Sequence, residues 1–177
     1  FGVYNSLLIR TYSQIYSDFK QLFCCIKFSL ANEGLVGVRN KQLSSYAICI
    51  MLIYFLQNIR PPLLPYLQNE KMYSSKKPFF NIKFNTQISA IVSDFPDNLK
   101  QQNNLGKNLI DFFRFYSDFD FSKNLISINR ERNVGRLYSF CSMINIRDPF
   151  ISNHNLGAHM KKIHATKLKL FFRLKHT

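Results

Sequence analysis

Apolar residues recur every three, four or seven positions through the first third of the chain, which is the spacing of amphipathic helices. Between residues 5 and 35 this pattern predicts two helices, separated by a break near Asp18. Ser44 and Ser45 can then open a third helix, which carries a ten-residue apolar run over residues 47–56. Because this run is apolar on all sides, we expect a buried central helix that ends before the prolines that follow.

The rest of the chain has a mixed pattern. Residues 61–104 combine prolines with other turn formers, which predicts a long irregular connection. Residues 105–116 return to helical spacing, whereas residues 124–128 and 143–146 alternate between apolar and polar positions like short strands. The predicted fold class is therefore α+β and mainly helical, a helical bundle with a small β-sheet.

The net charge of the chain indicates what kind of partner it binds. The chain has 24 Lys and Arg against 10 Asp and Glu, a formal net charge of +14, and such a field attracts polyanions such as nucleic acid. Residues 159–177 contain six basic residues and no acidic one. Charge runs are usually only solvated faces, but the overall excess favours RNA binding. The predicted RNA contacts are Arg130, Arg132, Arg136, Lys161 and Lys162.

The sequence gives less support for a transmembrane segment, for disulfide bonds or for a metal site. The ten-residue apolar run is half of the ~20 residues that span a bilayer, so we expect no transmembrane segment. The four cysteines contain no CxxC pair, and we expect them to be small core residues in a reducing compartment. Asp118 and Asp120 have the DxD spacing that can hold a divalent metal. No Gly-Ser turn precedes them, so we favour a structural role and predict no metal site in this chain.

The order of several strings in this sequence resembles that of RNA terminal uridylyltransferases. The strings are GVYNSLLIRTYS, QLSSYAICIMLIYFLQ, PPLLPYLQ, LGKNLIDFFRFYSDFDFSKNLISI and INIRDPFISNHNLG. Those enzymes belong to the DNA polymerase β-like nucleotidyltransferase superfamily, together with template-independent poly(A) polymerases. The resemblance covers the chain from Asn5 to about Gly157.

The resemblance implies a division into three parts. Residues 1–60 would be the first helices of the family's central domain, residues 61–158 its poly(A) polymerase-associated region, and residues 159–177 a basic extension. The catalytic domain, with the carboxylates that bind Mg²⁺ or Mn²⁺, would lie upstream, and residues 1–4 would end one of its strands. The chain alone would then be an inactive fragment of a cytoplasmic enzyme, with UTP and the RNA 3′ end as its substrates.

The resemblance also implies nucleotide contacts in the first half of the chain. Asn5 and Ser6 match positions that touch the ribose, where an amide or hydroxyl can bond the sugar hydroxyls. Lys27 and Ser45 match positions at the triphosphate. Tyr46 matches the aromatic residue on which uracil stacks.

The base-reading pair of the family matches Asp148 and His154. An ionised Asp148 can accept from uracil N3–H while a His154 N–H donates to O4, an order that cytosine and adenine reverse. From spacing alone, a lone Asp and a His six residues apart more often just cap and satisfy a turn. An adenine-adding relative would share the fold and differ at His154, so that alternative stays open.

Three departures from the family pattern favour a further alternative. Ala31 stands where a second phosphate cation is usual, Arg147 replaces an acidic residue, and Ile151 replaces a polar one. A diverged, non-catalytic RNA-binding paralogue would tolerate these changes.

Overall fold

The structure is a computed structural model, which describes residues 2–68, 84–93, 104–129, 143–151 and 153–175. A short 3₁₀ turn, Val38–Asn40, precedes the third helix. The α-helices of these segments are α1 (Gly2–Ile15), α2 (Phe19–Asn32), α3 (Ser45–Asn58), α4 (Ile88–Ser93), α5 (Leu105–Ser117) and α6 (Lys162–Lys175).

Helix α3 is the buried central helix that its apolar run predicts. The Ser44 hydroxyl caps it by accepting a hydrogen bond from the Ala47 amide at 3.0 Å. Every residue from Ala47 to Ile53 is buried, and α2 and α5 pack against the helix. The Tyr116 hydroxyl of α5 donates to the Met51 carbonyl at 2.7 Å, so a buried polar group is satisfied where two helices meet.

The break between α1 and α2 lies where it was predicted, but two details differ. Asp18 occupies the position before α2 without making a side-chain capping bond. The prediction that residues 1–4 end a strand is wrong for the described residues 2–4, which form the first turn of α1. Helix α2 ends at Asn32, and Gly34 follows with a φ of 63°, a left-handed conformation that favours glycine at the end of a helix.

The predicted fold class is confirmed, with little strand. Residues 124–128 and 143–146 meet as expected, but their pairing is a single parallel bridge between Ile126 and Ile146. The Ile126 amide donates to the Asn145 carbonyl at 3.0 Å, and the Arg147 amide donates to the Ile126 carbonyl at 2.9 Å. Both segments bury their isoleucines. The alternation of apolar and polar residues therefore indicated which side chains are buried, and it did not indicate how many residues pair.

The basic C-terminal segment is part of the core. Helix α6 buries Ala165, Leu168, Phe171 and Phe172, and Phe171 and Phe172 pack edge to face with Phe113 and Phe112 of α5. Deleting the segment would therefore remove core packing as well as charge. Among the residues that the structure describes, no helix has both the length and the apolar character needed to cross a bilayer.

Candidate functional site

Tyr46 and Asn5 meet at the N-terminal ends of α3 and α1. The Tyr46 hydroxyl donates a hydrogen bond to the Asn5 side-chain oxygen at 3.1 Å. Burial raises the pKa of Tyr46, and the negative charge of Asp148 raises it further. The phenol is therefore neutral, and it lies close enough to Asp148 to feel its charge. The fold thus brings together candidates that are 41 and 102 residues from Tyr46 in sequence.

A cavity of about 680 Å³ opens beside this pair, between α1, α2 and the start of α3. Its volume is in the range of small-molecule sites. Ser6, Ser45 and Tyr46 line it, so three predicted nucleotide contacts share one concave surface. Arg10 and Lys20 also line it, and sequence reasoning did not single them out. A signal existed for Arg10, because a residue four positions after Ser6 lies on the same helix face.

Lys27, predicted at the phosphates, does not line this cavity. It is half-buried on α2, one turn beyond Phe23 and Cys24, which do line the cavity. Helical spacing places these residues on one stripe. Lys27 is therefore next to the cavity on the same face of α2 and outside its wall.

Asp148 and His154 form an ion-pair geometry at the end of a tight loop. His154 Nδ1 lies 3.1 Å from Asp148 Oδ2, with the His154 side chain 52% exposed and that of Asp148 only 6% exposed. Asp148 Oδ1 accepts from the amides of Phe150 and Ile151 at 2.8 and 3.1 Å. The Asp148 carboxylate therefore caps the turn with one oxygen and contacts the imidazole with the other. A structural role in the turn and a role as part of a base-reading pair are compatible in this geometry.

Buried amides hold this loop from the side of the core. Gln68 and Asn129, both buried, donate to the Pro149 carbonyl at 3.3 and 3.2 Å. That carbonyl belongs to the residue after Asp148, so these contacts limit how far the carboxylate can move. Neither residue was predicted, because their distances in sequence from the loop give no local signal.

The predicted RNA contacts are only partly described. Arg130, Arg132 and Arg136 lie outside the described residues. Lys161 and Lys162 are exposed at the start of α6. The Lys161 backbone amide donates to the Lys41 carbonyl at 3.4 Å, which joins the start of α6 to the turn before α3.

Asp120, the second carboxylate of the DxD pair, stabilises a turn. Asp120 Oδ1 accepts from the Ser122 amide at 2.9 Å, and its Oδ2 lies 3.4 Å from Lys123 Nζ. Hydrogen bonds from Ser122, followed by the charge of Lys123, lower the pKa of Asp120 to about 2. Across the described segments, no group of three or more His, Cys, Asp or Glu side chains could hold a metal ion.

The cysteines differ in environment. Cys49 is buried in α3, and burial raises the pKa of its thiol to about 12. Cys24 is exposed, so the expectation that it is a core residue is wrong. Its helix position turns it toward the cavity, whose wall it forms in part. Cys141 lies outside the described residues.

Sequence comparison finds relatives of two kinds. The profile of the family described as Cid1 family poly A polymerase matches residues 104–154. Terminal uridylyltransferase 7 of Homo sapiens is 33% identical over 169 residues, which are 91% of this chain and 11% of that protein. Poly(A) RNA polymerase GLD2 of Homo sapiens is 28% identical over 137 residues, 76% of this chain and 28% of that protein. The chain thus spans about a tenth of the uridylyltransferase and less than a third of the poly(A) polymerase.

Solved structures show the same fold. A cytoplasmic RNA terminal U-transferase superposes with a TM-score of 0.79 at 22% identity, covering 98% of this chain and 57% of that one. The Cid1 poly(U) polymerase superposes with a TM-score of 0.80 at 24% identity, covering 98% and 56%. The profile match over residues 104–154 and the 33% identity to terminal uridylyltransferase 7 over 91% of this chain support a terminal uridylyltransferase-like nucleotidyltransferase domain, and the solved structures show the same fold.

Proposed function

We propose that this chain is the nucleotide- and RNA-binding part of an enzyme that adds UMP from UTP to RNA 3′ ends. The observation that carries the proposal is the Asp148–His154 pair, which lies within electrostatic reach of Tyr46. A stacking ring and a base-edge pair in one neighbourhood are what selection of a single base requires. The names of the similar proteins include uridylyltransferases and poly(A) polymerases, so base choice is the point to be tested.

The sugar and the ring have natural partners at the ends of α1 and α3. Because the Asn5 side-chain oxygen already accepts from Tyr46, its amide nitrogen remains a donor for a ribose hydroxyl. The same hydrogen bond limits rotation of the Tyr46 ring, which a stacking platform needs. Ser6 and Ser45 add hydroxyls on the wall of the adjoining cavity.

Positively charged side chains for binding the triphosphate lie in and beside the same cavity. Lys27 is the predicted contact, and Arg10 and Lys20 add two cations to the cavity wall. Among the residues that the structure describes, no carboxylate lines that cavity, so the local field attracts an anion. These cations offset the charge that is lost at Ala31, which weakens the case for a non-catalytic paralogue.

Base reading depends on which ring nitrogen of His154 carries a proton. An ionised Asp148 only accepts hydrogen bonds, so its contact with Nδ1 requires the proton there. The other nitrogen, Nε2, then donates to uracil O4 when the imidazole is protonated, and accepts from an adenine amino group when it is neutral. Asp148 Oδ2 retains a lone pair for uracil N3–H.

Catalysis requires groups that the described residues do not supply. Mg²⁺ or Mn²⁺ ions bound by the catalytic domain would activate the RNA 3′-hydroxyl and neutralise the leaving pyrophosphate. The residues of this chain would bind UTP, orient it and hold its base. Positioning of this kind accounts for much of phosphoryl-type catalysis.

The test is a comparison of UTP and ATP binding to the chain with His154→Ala and His154→Asn. Removing the ring that donates to O4 should weaken UTP relative to ATP by ~1–2 kcal/mol, roughly tenfold. Isothermal titration with each nucleotide measures both affinities directly. A wild-type chain that prefers ATP would favour the adenine-adding alternative. An unchanged ratio of UTP to ATP affinity in both variants would mean that His154 has only a structural role in the turn.

A further inference from the structure

Asn155 links the two segments of the loop that carries the base-reading pair. Its side-chain oxygen accepts from the backbone amides of Ile146 at 3.0 Å and Gly157 at 2.9 Å. Its amide nitrogen donates to the side-chain oxygen of Asn145 at 3.0 Å. One half-buried side chain thus joins the segment before Asp148 to the segment that follows His154.

Backbone hydrogen bonds place this link directly beside the pair. The Asp148 amide donates to the His154 carbonyl at 2.9 Å, and the Leu156 amide donates to the Ile146 carbonyl at 2.8 Å. Arg147 and Asn155 face each other between these two bonds as an antiparallel bridge. The Asn155 side chain therefore adds its own hydrogen bonds to these backbone bonds in setting the spacing between residues 145–148 and residues 154–157.

His154 depends on this spacing because its ring is half exposed. Asp148 is held independently, by the turn amides and through the buried Gln68 and Asn129 contacts to Pro149. A shift of residues 154–157 would move the imidazole away from a carboxylate that stays in place. The 3.1 Å contact that defines the Nδ1 proton would then lengthen.

We propose that Asn155 is a positioning residue for base selection, which keeps His154 in register with Asp148 without touching the nucleotide. This inference rests on the proposed function, since it assigns Asn155 a role in the same site. A merely structural role would lower stability and leave the choice between bases unchanged. The two roles therefore differ in a measurable ratio.

The experiment measures the ratio of UTP to ATP affinity, and the unfolding temperature, for four variants of the chain. Asn155→Ala removes all four side-chain hydrogen bonds of Asn155, which include one from its amide nitrogen to the Ile144 carbonyl at 3.4 Å, whereas Asn155→Asp keeps the acceptor for the two backbone amides. Asn153→Ala removes an exposed asparagine of the same loop. Leu168→Ala, in the core of α6, is the control for loss of stability remote from the site.

We expect Asn155→Ala to reduce the preference for UTP by roughly five- to tenfold, because small displacements of a positioned group have large effects. Asn155→Asp should retain most of the preference, and Asn153→Ala all of it. Leu168→Ala should lower the unfolding temperature with an unchanged ratio. If Asn155→Ala behaves like Leu168→Ala, the positioning role is wrong.

His154→Ala, measured in parallel, separates the two proposals. A reduced ratio in His154→Ala with a wild-type ratio in Asn155→Ala overturns the inference about Asn155 alone. An unchanged ratio in both variants overturns the proposed function, and the inference with it.

Discussion

Replacing Gly157 by alanine tests how closely the loop of the base-reading pair is packed. A Cβ atom at this position would lie 2.4 Å from the Ile144 carbonyl oxygen and 3.2 Å from its carbonyl carbon. Both are backbone atoms of a buried residue, so no side-chain rotation relieves the contact. The two segments that Asn155 joins would have to move apart.

The size of the effect follows from this distance. Ordinary C···O contacts are about 3.3–3.6 Å, so the backbone must give by about 1 Å, and overpacking of this kind costs ~1–3 kcal/mol. The same movement weakens the 2.9 Å bond from the Gly157 amide to Asn155, which adds up to ~1 kcal/mol. We expect a loss of ~2–3 kcal/mol, which for a chain of this length lowers Tm by about 4–12 °C.

Urea denaturation followed by circular dichroism measures this loss, and the chain offers a matched control. Gly106 lies in α5, where, of the described part of the chain, an added Cβ meets only the Asn104 side-chain oxygen, at 3.8 Å. Gly106→Ala should therefore stabilise the protein by ~0.5–1 kcal/mol, through the helix propensity of alanine. If Gly157→Ala is as stable as the wild type while Gly106→Ala gains stability, the close approach to Ile144 is incorrect.

Three further predictions concern the ring, the charges and the thiols. Tyr46→Ala should weaken UTP and ATP alike, by ~1–3 kcal/mol in titration calorimetry, because stacking distinguishes bases poorly; a selective loss of UTP would contradict a stacking role. Lys161→Gln combined with Lys162→Gln should reduce the slope of log affinity for single-stranded RNA against log salt concentration by about 1.4, since each phosphate contact contributes about 0.7. An unchanged slope would mean that these two lysines only face solvent. Burial raises the pKa of the Cys49 thiol to about 12, so at pH 8 Cys49 has almost no thiolate and should resist alkylation. The exposed Cys24 should be modified. Peptide mass spectrometry after iodoacetamide treatment distinguishes the two cysteines.

Local sequence was sufficient for most of the helical structure. The boundaries of α3 follow from a serine cap and an apolar run, and the cap bond joins Ser44 to a residue only three positions away. Interactions of this range are encoded by neighbours in the chain. The strand prediction was less complete, because the alternation at residues 124–128 and 143–146 indicates burial and does not determine how many residues pair.

The candidate site residues were named by resemblance, and their roles stay predictions. Tertiary structure nevertheless decided their geometry: Tyr46 bonds Asn5 across 41 positions of sequence, whereas Lys27 lies outside the cavity that Ser45 helps to line. It also added Arg10 to the cavity wall, a residue for which the sequence signal was its helical spacing from Ser6.

The sequence by itself determined the approximate extent of α2, α3 and α5 and the large positive charge of the chain. It did not determine that residues 2–4 begin α1, or that α4 and α6 form where an irregular connection and a basic extension were predicted. It did not determine which helices face each other, because apolar periodicity is satisfied equally well by any apolar partner surface. Packing around α3 settled that question, and it placed the start of α1 beside the start of α3. Hydrogen bonds from Asn155 and to Pro149 then set the base-reading loop, since contacts between segments that are distant in sequence form only when the whole core has assembled.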